Sequence, residues 1–198
     1  GTHESASASF EGVLAVEGGA AHRPFHSLTL PLANSNQECS VGALLGAYLR
    51  ESVPGKPLHV SKLPSSLVAH LQRPGGGGGG AAPVVIPPSM DLRLHARSSP
   101  SKGPADLNSL SEACISANTE GQGLFELTGV CYSIGASQQE RFVACVKGPS
   151  GLWWLCDDGQ CGGVEEQDVL QGRVKPVLEH EGAPGGSRTA CILVYHRR

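Results

Sequence analysis

Residues 124–161, LFELTGVCYSIGASQQERFVACVKGPSGLWWLCDDGQC, decide the fold. Within them LFELTGVCYSI, RFVACVK and LWWLCDD are rich in β-branched and aromatic residues and are parted by Gly, Pro, Ser and Gln. Each reads as a strand that ends in a turn. The last of them ends on an acid pair, Asp157 and Asp158, beside Trp153 and Trp154. Paired acids at a strand end next to aromatic rings resemble one arm of an active site, and they raise the question of which base stands opposite.

On the C-terminal side, VEEQDVLQG reads as a short helical turn, GAPGGS as a loop and TACILVYHR as a fourth strand. On the N-terminal side, SSLVAHLQ alternates, with Leu67, Ala69 and Leu71 on one face and Val68, His70 and Gln72 on the other. His70 in that setting is a sheet residue rather than a base. Upstream, NSNQECSVGALLGAYLRE carries Val41, Leu44, Leu45, Tyr48 and Leu49 at helical spacing. This predicts a helix over about 37–51, with Asn36 or Ser40 as its cap and Pro54-Gly55 beyond its end. FEGVLAV is apolar, and FHSLTLPL places Phe25, Leu28, Leu30 and Leu32 at apolar positions, with Pro31 pointing to an edge or strand end.

Two stretches interrupt this pattern. PGGGGGGAAP, residues 74–83, contains six consecutive glycines whose ordering costs much backbone entropy, and it reads as a flexible insertion. Residues 95–121 are polar and loop-like, and VVIPPSMDLRL before them carries a short strand pattern. The expected organisation is an N-terminal part over 1–73, the glycine-rich insertion at 74–83, a strand segment at 84–94, the loop at 95–121 and a C-terminal sheet at 122–198. A helix-containing part followed by an antiparallel strand set is an α+β fold.

Composition limits what this fold can do. The chain has 198 residues, a formal net charge of -3 and a pI near 6.2, so it carries no global field to attract nucleic acid or an anionic membrane surface. Its Lys and Arg are dispersed, and no apolar run approaches the roughly 20 residues of a membrane helix. The first residues lack both a basic and an apolar region, so no signal peptide is expected, and the absence of an initiating Met suggests a fragment. The cysteines, at positions 39, 114, 131, 145, 156, 161 and 191, are odd in number, scattered and mostly within apolar runs. They read as reduced, small hydrophobes of an intracellular protein in the cytoplasm or nucleus. There is no CxxC motif, and Cys156 with Cys161 is an unusual ligand spacing, so neither metal nor cofactor is expected.

Taken in order, seven phrases resemble the C-terminal half of the ubiquitin-specific protease domain, a papain-like cysteine peptidase fold. They are FEGVLAV with RPFHSLTLPL, CSVGALLGAYLRES, KLPSSLVAHLQRP, VVIPPSMDL, LFELTGVCYSIGASQQERFVACVK, WWLCDDGQCGGVEEQDVL and ACILVYHRR. They span residues 10–198 apart from the glycine insertion and the 95–121 loop. The resemblance implies a fragment of a larger domain: one N-terminal helix and the antiparallel-sheet portion that carries the catalytic histidine and its orienting acid.

The family's chemistry needs a thiolate nucleophile, an imidazole that takes and returns its proton, and an acid or amide that orients the imidazole. The family's nucleophile box is not in this sequence; Cys39 lies near a helix start, but in the segment that resembles a different helix. The family's Gly-His-aromatic triplet aligns with Glu140-Arg141-Phe142, so Arg141 stands at the general-base position. A guanidinium with a pKa above about 12 cannot shuttle protons near neutrality. Asp157 matches the orienting acid, and pairing with Arg141 across adjacent strands is an alternative to its being a plain turn acid with Asp158. The cysteine pairs of the family's zinc-stapled fingers would fall near residues 15–20 and 52–60, which hold no cysteine, so the tip of this element is expected to be short or loosely held.

The resemblance thus implies a non-catalytic relative that binds ubiquitin or a ubiquitinated protein, with Trp153 and Trp154 as candidate contacts. Ordinary strand alternation, one ring inside and one outside, is the plainer reading of the two tryptophans. The competing reading is the C-terminal half of an active cysteine-type deubiquitinase whose nucleophile lies on an N-terminal half.

Overall fold

The computed structural model describes residues 11–16, 22–32, 38–51, 58–73, 83–92, 123–134, 141–175 and 188–198. The glycine-rich insertion, apart from Pro83, and the 95–121 loop lie outside the described residues. So do Asn36, the GAPGGS loop and the Pro54-Gly55 pair.

The four C-terminal strands form where the sequence places them: β9 (Leu124–Ile134), β10 (Arg141–Lys147), β11 (Trp153–Asp157) and β13 (Arg188–Arg197). Between the last two lie β12 (Gln160–Val164) and the short helix α2 (Glu166–Leu170). Upstream come β1 (Gly12–Val16), β2 (His22–Phe25), β3 (Ser27–Pro31), β4 (Cys39–Ser40), helix α1 (Val41–Glu51), β5 (Leu58–Lys62), β6 (Ser66–Gln72), β7 (Val84–Val85) and β8 (Ser89–Asp91).

Most of these strands join one sheet in the order β12-β11-β10-β9-β13-β6-β3, with β8 pairing β9 beside that path. Its pairs are antiparallel except β3 with β6, which run parallel, with Leu28 opposite Ala69 and Leu30 opposite Leu71. β3 is an edge strand, which explains how Pro31 is tolerated at its end. FHSLTLPL is therefore not one strand. It breaks at His26, and β2 turns away into a separate three-stranded sheet, β2-β1-β5.

The tip expected to be short or loosely held, near residues 15–20 and 52–60, lies mostly outside the described residues; the described part is a regular antiparallel sheet with Leu14, Phe25, Leu58 and Val60 buried. Gly12 leaves room for the Phe25 ring of the opposite strand, which would have to shift to admit a Cβ there.

Helix α1 also begins later than its apolar spacing suggests. Residues 39–40 pair with β7 as a two-residue parallel ladder, so the helix starts at Val41 instead of 37. Ser40 Oγ accepts the Ala43 backbone N–H at 3.2 Å, the N-cap bond that satisfies one orphan donor of the first turn. Val41, Leu45 and Leu49, four residues apart, are buried, and α1 contacts β3 and β5.

One continuous core joins these layers, from Leu28 and Leu30 on β3 through Phe125 and Tyr132 on β9 to Leu155 on β11. Polar ends of the buried rings are satisfied. Tyr195 Oη donates to the Pro87 carbonyl at 3.0 Å, fixing the β7–β8 segment, and Tyr132 Oη donates to the Val169 carbonyl at the end of α2. Burial pushes both phenols above their ordinary range, which leaves them neutral donors.

At the sheet's rim, Glu126 on β9 accepts Lys147 Nζ at 2.8 Å and Arg198 Nε at 2.9 Å, tying β10 and the C-terminal residue to the central strand. These two cations lower the Glu126 carboxyl from 4.5 to about 2. A folded-state value below the unfolded one means the stabilisation is complete above the unfolded pKa and is lost as pH falls toward about 2. Glu126→Gln is therefore expected to lower stability at neutral pH and to flatten the decline of stability between pH 4.5 and about 2, as read by urea unfolding across that window.

Candidate functional site

The acid pair at the end of β11 divides into two unlike residues. Inward-facing positions of β11 are Trp153, Leu155 and Asp157, all buried. Asp158 begins the turn to β12 and has φ 53°, in the left-handed region that Asp tolerates better than most residues. Only Asp157 belongs to the interior, with 1% of its surface exposed, and a carboxylate so placed needs a counter-charge or hydrogen-bond donors.

Arg141 provides one. β10 and β11 pair antiparallel, with Ala144 opposite Cys156 and Cys145 opposite Leu155. Continued by one step, this register sets Asp157 opposite Val143, and Arg141 lies two residues further along β10 on the same face. That is the diagonal relation within reach of a long side chain. Arg141 Nη2 donates to Asp157 Oδ2 at 2.6 Å, a short charge-assisted contact between a part-exposed guanidinium and a buried carboxylate. Of the two readings of Asp157, the pairing with Arg141 is the one formed.

The tryptophans separate in the way alternation dictates. Trp153 is buried, donates from Nε1 to Glu166 Oε1 at 3.3 Å and lies under Lys147 Nζ, 5.8 Å from the ring centroid. Trp154 is 45% exposed. Phe142 and Val146 of β10 are also exposed, and Val146 is the direct cross-strand partner of Trp154. Of the two candidate contact residues, only Trp154 is exposed. His70 is exposed on β6 opposite Ile192.

The described thiols sit in different settings. Burial raises Cys39, which sits in β4 ahead of α1, and the nearby Arg73 only partly offsets this. Cys145, on the inward face of β10, is pushed up to about 12 by burial. Cys131 moves the other way, down to about 7, through its contact with Cys191, a thiol rather than an imidazole. Cys191 Sγ also lies 3.1 Å from the Cys131 carbonyl oxygen. Among the described residues no cluster of three or more His, Cys, Asp or Glu side chains could hold a metal ion, and no helix is long and apolar enough to cross a membrane.

No protein-family model matches this sequence, and no curated protein matches it. Solved structures do. The yeast SAGA DUB module carrying a mutant Sgf73 aligns with 96% of this chain and 39% of its own, at 18% identity and a TM-score of 0.64. The fold is that of the ubiquitin-specific protease domain. The SAGA Ubp8/Sgf11/Sus1/Sgf73 DUB module bound to ubiquitin aldehyde aligns equally well, at 18% identity and a TM-score of 0.64, over 96% of this chain and 42% of its own. A DUB module bound to monoubiquitin gives 17% identity and a TM-score of 0.64. The chain spans about two fifths of the length of the solved chains it matches.

Within this ubiquitin-specific-protease-type sheet, sequence reasoning missed β12, the edge strand after the acid pair. Its QCGGV has little β-propensity, but Asp158-Gly159 between two apolar runs is a strong hairpin signal that points to it. The two rings of WW give a direct test of the site's architecture. Trp153→Ala is expected to cost about 3–5 kcal/mol, the range for truncating a buried Trp. Trp154→Ala should stay within about 1 kcal/mol, as for most surface changes. Urea denaturation followed by circular dichroism distinguishes them.

Proposed function

We propose that this chain is a ubiquitin-specific-protease-type unit that binds ubiquitin or a ubiquitinated protein and does not hydrolyse it. The observation that carries this reading is the ion pair between Arg141 and buried Asp157. Asp157 occupies the place of an acid that would hold an imidazole in one tautomer, and here it holds a guanidinium instead. A guanidinium stays protonated at neutral pH, so it cannot remove a proton from a thiol or return one to a leaving amine. What remains is a sheet with an exposed aromatic, Trp154, opposite the exposed Val146, the kind of surface on which a partner protein is held. Ubiquitin is the partner suggested by the ubiquitin-bound DUB modules that share the fold.

A second reading follows from length. Because the chain spans about two fifths of the solved chains it matches, it fits the C-terminal half of a deubiquitinase whose nucleophile lies elsewhere in a longer polypeptide. Arg141 opposes that reading, since such an enzyme would still need its base.

Titration of the chain with isotope-labelled ubiquitin is expected to give saturable shifts that Trp154→Ala weakens. No shift up to millimolar ubiquitin contradicts the binding function. Neither the chain nor its Arg141→His variant is expected to cleave a ubiquitin ester, because the sequence lacks the family's nucleophile box. Cleavage by either, or reaction of a longer natural form with a ubiquitin-based cysteine-directed probe, overturns the non-catalytic reading.

A further inference from the structure

The β11–β12 hairpin brings two cysteines face to face. The two strands are joined by a two-residue turn, with Asp157 opposite Gln160 and Cys156 opposite Cys161. A two-residue turn is closed by a hydrogen-bonded pair, so alternation along an antiparallel ladder makes Cys156 and Cys161 the following non-hydrogen-bonded pair. In such a pair the Cα atoms lie roughly 4.5 Å apart and the side chains are closest. That separation falls within the range a disulfide spans. The sulfurs are already in contact: Cys161 Sγ lies 2.8 Å from Cys156 Sγ, only about 0.8 Å longer than a covalent S–S bond. Cys161 is exposed and Cys156 is half-buried, so a reagent reaches the pair from solvent at Cys161.

We propose that Cys156 and Cys161 are a redox-active dithiol, converted to a cross-strand disulfide by a low-molecular-weight disulfide such as oxidised glutathione. The Cys161 thiolate attacks one sulfur of the small disulfide and expels its other half as a thiolate. The Cys156 thiolate then attacks the Cys161 sulfur of the mixed disulfide and expels the second half. Two protein thiols lose two electrons, the small disulfide gains them, and the two thiol protons end on the two expelled thiolates. Contact with Cys161, with burial adding to it, raises the Cys156 thiol, consistent with Cys161 attacking first and Cys156 resolving.

The consequence falls on the edge of the sheet. β12 is the terminal strand, and its QCGGV sequence has two adjacent glycines that add no side-chain packing to the ladder. A covalent clip at its first turn fixes its register on β11, the strand that carries Asp157. The redox state of the pair therefore sets how firmly the edge beside the Arg141–Asp157 ion pair is held.

The test uses the protein as it stands. After incubation with oxidised glutathione and alkylation of remaining thiols, tryptic digestion releases Gly148–Arg173, which holds Cys156 and Cys161 and no other cysteine. Expected is a peptide lighter by two hydrogens that has lost both alkyl adducts, reverting on reduction. Hydrogen exchange over Gln160–Val164 should slow in the oxidised protein. In Cys156→Ser, a stable glutathione adduct should remain on Cys161. The proposal is overturned if both thiols of this peptide are fully alkylated after oxidation, if the wild-type peptide keeps a glutathione adduct, or if oxidation joins Cys131 to Cys191 instead.

Discussion

Pairing along β9 is the constraint on which the rest depends. This eleven-residue strand accepts β8, β10 and β13 as partners, so the register of each neighbour is set against it. Its inward residues, Phe125, Leu127, Val130 and Tyr132, are almost completely buried, and a slip of one residue would turn them to solvent. The register shift near Leu127 and Val194 absorbs the change of facing between Leu127 and Val130 and keeps both inside. β10 takes its position from β9 and β11 from β10. The meeting of Arg141 with Asp157 is thus a consequence of core packing far from either charge.

That inheritance explains why the ion pair is the informative feature of the site. Asp157 is placed inside by the same alternation that buries Trp153 and Leu155, so its carboxylate must be compensated wherever it stands. An imidazole at position 141 would compensate it only while protonated or hydrogen-bonding, and would remain free to exchange a proton. A guanidinium compensates it permanently. A guanidinium at this position is compatible with the architecture and supplies no proton transfer, so the fold and the proposed binding function are compatible.

Legibility in the sequence varied with how local the determining physics was. β9, β10 and the α2 turn were readable because β-branched runs, alternation and flanking turn residues all agreed. The buried faces of β6 and α1 followed from periodicity alone. The break of FHSLTLPL at His26, the pairing of Cys39–Ser40 with Val84–Val85 and the parallel β3–β6 edge were not readable, since each depends on partners distant in sequence. β5 and β12 were missed for a different reason: LHVSK and QCGGV are weak strand formers held by their neighbours. At the site, the Arg141–Asp157 contact was foreseeable because a family resemblance placed both residues on adjacent strands. The roles of Trp153 and Trp154 needed burial to separate them, and the proximity of Cys156 to Cys161 needed the hairpin register.

The account rests on a carboxylate matched to a fixed cation, and a double-mutant cycle measures that match most directly. Stabilities of the wild type, Arg141→Met, Asp157→Asn and the double variant would be obtained by urea unfolding at neutral pH. The account predicts that the double variant is more stable than the sum of the single losses implies, with a coupling of at least about 1 kcal/mol, inside the range for contacting charged residues. Effects that add to within about 0.3 kcal/mol, as they do for independent sites, would contradict it.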